Sequence, residues 1–355
     1  MATPRLSREA LIGLLREAGL TGRGGAGFPV WRKLAAVAGA PVVIGNGSEG
    51  EPASAKDRVL LTYRPDLVLD GLRLVADALG ARESHLYLPA DLLPHLAAHQ
   101  RAVTLTAAPE RFVAGEASAV ANAVAGRAAV PSDRTARLAQ RGIVVQNVET
   151  LAHIALIARH GPAWFRAAGT ADEPGTFLAT VGGAVARPGV LEAGYGVTLA
   201  ELVDGAGGAT ATIQAVLVGG YHGAWVPPRP GLPVSRAALA PYDASPGAGV
   251  VHVLPADACG LAETARIAGY LADQVAGQCG PCVNGLPRLA DALMRLVHGE
   301  PDVKEVTRLA RSVEGRGACH HPDGTVRLIR SSLRTFAADV DAHLAGHCRA
   351  NGAPR

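Results

Sequence analysis

Two groups of residues have types and spacings suited to chemistry. The first is Thr21-Gly22-Arg23-Gly24-Gly25-Ala26-Gly27-Phe28-Pro29, in which Gly22, Gly24 and Gly27 satisfy G-x-G-x-x-G. A loop this poor in side chains lets the backbone approach a flat or anionic ligand closely, with N–H groups directed at phosphate. The second is Cys279-Gly280-Pro281-Cys282, with Cys319 further on in Gly315-Arg316-Gly317-Ala318-Cys319-His320-His321. Cys259 and Cys348 complete the five cysteines. A C-x-x-C with remote thiolates is compatible with a redox dithiol, a structural zinc or an iron–sulfur cluster. The dithiol wants a thioredoxin context, and zinc wants a second Cys pair or finger-like His spacing. A cluster tolerates remote thiolates and suits a loop between helices, so it is the preferred reading.

The elements around the glycine loop exclude an ordinary Rossmann turn, which must follow a strand and open a helix. Residues 7–19, with Leu11, Leu14 and Leu15 on one face and Gly19 as a stop, read as a helix. Val30 to Ala38 reads as another, and only then comes the apolar strand 41–46. That strand runs into a second loop, Gly45-Asn46-Gly47-Ser48-Glu49-Gly50-Glu51-Pro52, followed by Lys56-Asp57-Arg58, which reads as an ion-pair run. Pro65–Leu79 is a helix stopped by Gly80; strands at 84–88 and 102–106 follow, separated by a helix. This β-α-β alternation predicts a largely parallel sheet. Gly115-Glu116-Ala117 opens a further helix, 126–142 is polar and irregular, and Gln146-Asn147-Val148-Glu149-Thr150 leads into a helix over 151–159.

Near residue 172 the texture changes to short strands (176–181, 189–192, 213–218, 224–226) with Gly-rich turns and one short helix, 198–203. That pattern suits a β-grasp-like module. From Gly260 the chain reads as helices over 261–275, 284–298, 301–313 and 326–346, which would pack as a bundle. The expected domains are 1–170, 173–256 and 257–350.

At 355 residues, 48% hydrophobic and 18% charged, the chain has ample material for cores. A net charge of +3 without a basic block argues against a nucleic-acid partner. No run approaches a transmembrane span and no secretory leader is evident, so a cytoplasmic location is expected, where cysteines serve metals or redox rather than disulfides.

In order along the chain, Gly22–Pro29, Asn46–Pro52 with Lys56-Asp57-Arg58, Gly115-Glu116, Gln146–Thr150 and the Cys279 loop resemble motifs of one family: the NADH-binding flavoprotein subunit of complex I and its relatives in hydrogenases and formate dehydrogenases. The resemblance spans nearly the whole chain. It implies an atypical α/β flavin domain, a soluble-ligand-binding β-grasp domain and a helical bundle holding a [4Fe–4S] cluster, with FMN taking hydride from NADH and electrons leaving singly. By the same resemblance, Gly22, Arg23, Gly24, Gly25 and Gly27 would form the nucleotide and flavin loop, and Phe28 a ring near the nicotinamide. Lys33 would point at the flavin, Asn46, Glu49 and Glu51 would lie beside the isoalloxazine, and Gly115 and Glu116 would form the third motif. Gln146, Asn147 and Thr150 would hydrogen-bond the flavin tail. Phe28 also has the plainer reading of core packing.

Several positions depart from the family pattern. Ser48 replaces an Asp, Ala117 replaces the second of two glutamates, and a Lys-Pro-Pro-Phe clamp is missing, with Arg127, Pro131, Arg134 and Arg137 in that stretch instead. Ala276 stands where the first cluster cysteine belongs. Cys279, Cys282 and Cys319 would then be joined by Cys259, by His320 or His321, or by nothing, leaving a three-cysteine or [3Fe–4S] cluster; Cys259 is ranked first. The expected function is an FMN- and iron–sulfur-dependent oxidoreductase working between NAD(P)H or another donor and a ferredoxin-like partner. The alternative is an electron-relay or corrinoid-binding subunit that keeps the fold but does not bind NADH.

Overall fold

The structure is a computed structural model that describes residues 3–99, 102–133, 137–300 and 303–350. The chain divides into two compact units. One comprises residues 1–50, 54–179 and 192–197; the other comprises 51–53, 180–191 and 198–355.

The first unit starts with α1 (Arg8–Ala18), whose N-cap Ser7 accepts the N–H of Ala10 and whose C-cap Gly19 lies in the left-handed region at φ 72°. These are the local signals the sequence offers for a helix start and stop. Then come α2 (Val30–Ala35), β1 (Val42–Asn46), α3 (Lys56–Tyr63) and α4 (Pro65–Leu79), with Pro65 in the first turn and left-handed Gly80 as the cap. The series continues with β2 (Glu83–Pro89), α5 (Leu93–His99), β3 (Thr104–Ala108), α6 (Ala117–Val124), β4 (Ile143–Asn147), α7 (Val148–His160) and α8 (Pro162–Arg166).

The four strands form a wholly parallel sheet in the order β3-β2-β1-β4. Both faces are covered. Val43, Leu86 and Val144 join α4 and α7 in one core, while Ile44, Tyr87 and Val145 join α6 in another. Near-continuous apolar strands are what such burial demands. Gly71 lets α4 cross α7 closely, since a Cβ there would run into the carbonyl oxygen of Leu151.

The second unit contains most of a mixed sheet of β5 (Thr176–Gly183), β6 (Gly189–Gly194), β7 (Ile213–Val218), β8 (Ala224–Val226) and β9 (Val250–Pro255), in the order β6-β5-β9-β7-β8. The first and last strands are parallel neighbours within it. Two short helices, α9 (Leu199–Gly205) and α10 (Arg236–Leu239), lie between strands. The bundle follows: α11 (Gly260–Asp273), α12 (Leu286–Val297), α13 (Val303–Val313), α14 (His321–Thr335) and α15 (Ala337–Leu344).

The structure departs from the sequence-based expectation at several elements. Helix α2 is shorter than Val30–Ala38. Helix α7 starts at Val148, earlier than residue 151, because the Asn147 side chain accepts the N–H of Glu149 and caps it there. Helix α3 and strand β9 are additional elements. The last helix begins at His321 and breaks at Phe336, whose buried ring packs on Trp225.

Candidate functional site

In an open parallel sheet, ligands bind beyond the carboxyl ends of the strands, where the strand order reverses. The chain runs outward from β1 through β2 to β3, then returns to lay β4 on the other side of β1. The reversal lies between β1 and β4, whose last residues, Asn46 and Asn147, are register partners. Four of the five sequence motifs converge at this switch point.

The glycine loop joins two helices, as expected. It is closed at its neck by Gly22 N–H donating to Phe28 O at 2.9 Å and by an antiparallel bridge between Thr21 and Pro29. Gly25 and Gly27 have φ of 104° and 63°, which side chains rarely adopt. Phe28 is 50% exposed, so it presents a ring at the surface of the unit and is not a core residue.

Arg23 is held by the protein itself. Only 4% exposed, it turns its guanidinium away from the loop's surface. Nε donates to Thr176 O, Nη1 to Thr21 O and Oγ1, and Nη2 to Pro174 O, while the group sits 4.7 Å over the Tyr195 ring. Its backbone N–H donates to Thr150 Oγ1 at 2.9 Å. Arg23 and Thr150 therefore pin the loop to the start of α7.

The acidic loop is held from within. Asn46 Nδ2 donates to Gly115 O at 2.9 Å, and its Oδ1 accepts from the Ser48 hydroxyl. Glu49, at φ 47°, accepts from Ser54 Oγ and from the N–H groups of Asp57 and Arg58, so its carboxylate caps α3. Burial first, and Asp57 second, push the Glu49 carboxyl above its usual value. The Glu51 carboxylate accepts from Ala53 N–H and Tyr221 N–H. Glu116 is the N-cap of α6, accepting from Ser118 and from Ala119 N–H. Pro131 is buried, and Arg127 donates to Asn122. Arg134 lies outside the described residues.

Gln146 is the most telling residue. It is 1% exposed at the end of β4, and its amide Nε2 has no hydrogen-bond partner. An unpaired buried donor costs about 1–3 kcal/mol, so it marks a place where an acceptor belongs. Its Oε1 faces Lys33 Nζ at 3.4 Å, and that ammonium also donates to Val145 O at 3.0 Å. Burial lowers the Lys33 pKa to about 8.

Beneath these groups lies a buried charge network where the sequence suggests only an ion-pair run. Lys56 Nζ contacts Asp57 at 2.6 Å and Glu149 at 2.9 Å, all three buried. Asp57 accepts from Asn147 Nδ2 at 2.7 Å, and Asn147 Oδ1 caps α7 through Glu149 N–H. Burial works against the Lys56 charge, but the two carboxylates prevail and hold it protonated. Arg58 alone is exposed, paired with Asp91. Sequence reasoning missed Asp57 as the residue that orients Asn147; its position just after the acidic loop was the available signal.

In the second unit, Cys279 and Cys282 face each other with sulfurs 3.7 Å apart in the turn before α12, and Cys282 and Cys319 are buried. Burial, then Cys279, push the Cys282 thiol up. Cys259 is in the wrong place to join them. It caps the N-terminus of α11, whereas the Cys279 turn follows the C-terminus. The helix has 14 residues. At ~1.5 Å per residue its ends lie roughly 20 Å apart. Cys259 instead faces His343, a residue that no sequence motif marks. His321 has one ring nitrogen on Leu271 O and the other on His222, and exposed His320 faces Asp323.

Residues 15–156 match the Nuo51 FMN-binding domain, and residues 262–343 match the NADH-ubiquinone oxidoreductase-F iron-sulfur binding region. An F-type NADH-quinone oxidoreductase chain of Rhizobium meliloti, the second of that name, is 28% identical, over 95% of this chain and 89% of its own. The F-type chain of Streptomyces coelicolor is 27% identical, over 96% and 84%. Among solved structures, an NAD+-reducing [NiFe]-hydrogenase in the H2-reduced state superposes with a TM-score of 0.86 at 31% identity. The match covers 96% of this chain but only 64% of that one. The same kind of enzyme in the air-oxidized state gives 0.84 at 30%, covering 98% and 68%.

Proposed function

Because the chain belongs to the family of F-type NADH-quinone oxidoreductase flavoproteins, we propose that it is an FMN- and iron–sulfur-dependent oxidoreductase subunit that moves electrons between NAD(P)H, or another donor, and a ferredoxin-like partner. The observation that carries this reading is the buried, unpaired Gln146 amide at the switch point, flanked by a glycine loop and a desolvated lysine. When bound, FMN supplies the conversion of a hydride into single electrons, which the cluster carries onward.

The residues have distinct tasks. The backbone of Gly22, Gly24, Gly25 and Gly27 lets a ligand approach, and Phe28 offers a ring for a nicotinamide or flavin face. Gln146 supplies the donor and Lys33 the positive charge. Asn46, Asn147, Arg23 and Thr150 position the loops, and Glu49, Glu116 and Gly115 shape the ends of α3 and α6. No acid or base from the protein is needed. Cys279, Cys282 and Cys319 would hold the cluster through three thiolates, with Ala276 leaving the fourth position to another ligand. In this division of labour, residues 1–170 bind the flavin, 173–256 form the soluble-ligand-binding β-grasp module and 257–350 carry the cluster. None of the helices is long and apolar enough to cross a membrane among the described residues. All five cysteines are unbridged, which favours the cytoplasm.

The deciding experiment is an absorbance spectrum of anaerobically purified protein, with quantification of released flavin and iron. Near-stoichiometric FMN and a broad iron–sulfur band are expected. A chain that cannot be loaded with FMN at micromolar concentration would end this reading.

A further inference from the structure

Cys259, His343 and Cys348 form a group that the flavin and cluster sites do not use. Their ligand atoms all lie within 4.8 Å of one another, the only such group of three among the described residues. They come from three places: the N-cap of α11, the last turn of α15 and the segment beyond it. His343 is fully buried and Cys348 nearly so.

The histidine is held in the form a metal requires. Its Nδ1 lies 2.7 Å from the carbonyl oxygen of Val297, which can only accept, so Nδ1 carries the proton. Nε2 then presents its lone pair, and it faces Cys259 Sγ at 3.3 Å. A backbone carbonyl holding the remote ring nitrogen is the usual outer support of a metal-bound imidazole. The spacing also fits. Tetrahedral zinc bonds sulfur at ~2.3 Å and nitrogen at ~2.0 Å, which sets its ligand atoms roughly 3.5–3.8 Å apart.

We propose that Cys259, His343 and Cys348 bind one Zn2+ ion, distinct from the cluster site at the far end of α11. Two thiolates balance the charge of the ion. Half-buried Cys259 marks the side on which water would complete the tetrahedron. The ion would pin the segment after α15 to the start of α11. It is a structural clasp, since no feature of the flavin site depends on it.

The test is metal analysis of the full chain purified anaerobically, then exposed to micromolar Zn2+ and gel-filtered. The expected content is one zinc per chain, retained in Cys282→Ala, which strips the cluster. Cys348→Ala and His343→Ala should lose the zinc while keeping iron and the visible band. Should these variants fail to fold, Co2+ titration of Cys282→Ala tests the same site without touching its ligands. A one-equivalent endpoint with thiolate-to-cobalt absorption and tetrahedral ligand-field bands supports it. Three results overturn the proposal: no zinc uptake by the reduced wild-type chain, zinc lost only with Cys282→Ala, or no cobalt–thiolate absorption in that variant.

Discussion

Gly24 lies directly against Asn147: a Cβ added to the glycine would stand 3.2 Å from Asn147 Cβ. This contact joins the first motif to the fourth, across more than a hundred residues of sequence. A Gly24→Val substitution must push the loop off the start of α7 or turn Asn147 off its cap. Overpacking of this kind costs about 1–3 kcal/mol. If that cost falls on the flavin-bound state, FMN affinity should drop by roughly 5- to 150-fold. Fluorescence titration of the apoprotein measures it; affinity within twofold of the parent would mean that the loop does not meet the ligand.

Lys33 sets a pH dependence. Its folded pKa of about 8 lies below the ordinary value, so folding disfavours its charge, and this contribution to stability rises as pH climbs from about 8 to the unfolded value. A bound anion does the opposite by favouring the ammonium. FMN affinity should therefore be greatest below pH 8 and fall above it, by up to about tenfold per pH unit. Lys33→Met should bind more weakly and show a flat profile over that range. A parent profile as flat as the variant's would remove Lys33 from the site.

The buried triad of Lys56, Asp57 and Glu149 is a structural liability when broken. Lys56→Met leaves two carboxylates buried without their cation, and such losses cost about 3–5 kcal/mol. Urea unfolding should show the loss near neutral pH. Burial already pushes the Glu149 carboxyl up, so mild acid, or Glu149→Gln in the same background, should restore part of the stability. Lack of any rescue would show that lost packing, not charge, sets the cost.

NADH is expected to be a poor reductant of this chain. Ala117 opens α6 without the second carboxylate of the family pattern, and the clamp stretch offers Arg127, whose guanidinium is already on Asn122. Two lost contacts at about 1–3 kcal/mol each move a micromolar site toward millimolar. Anaerobic stopped-flow reduction checks this, with dithionite as the control that reduces the flavin regardless. Complete, fast reduction at tens of micromolar NADH would show that other residues anchor the dinucleotide.

Local signals carried furthest in the sequence. Ser7, Gly19, Pro65 and Gly80 mark their helix ends because each acts within a few residues of itself. The switch point was legible as motifs, though not as geometry, since the pairing of β1 with β4 is a long-range fact. Lys56 and Asp57 look like surface residues until Glu149 closes over them, so the sequence does not mark the start of α3. Arg23 sits in a ligand loop by spacing, but its partners Thr176 and Pro174 arrive from far along the chain. Cys259 and the Cys279 turn look close in the sequence because nothing there shows that a straight 14-residue helix separates them.

The pairing of β5 with β9 also bears on how the protein is made. The sheet's central parallel ladder, Thr180–Gly183 against Val250–Val253, joins its first strand to its last. Hairpin β7–β8 can close as soon as it emerges from the ribosome, but β5 must wait for everything between to be synthesised. Closing so long a loop before any reward is gained makes such ladders slow to form. During that wait the edge of β5 that later pairs with β9 keeps its backbone N–H and C=O groups open to other chains. Expression at lower temperature or slower translation should therefore improve yield more for this protein than any substitution at the flavin or cluster residues.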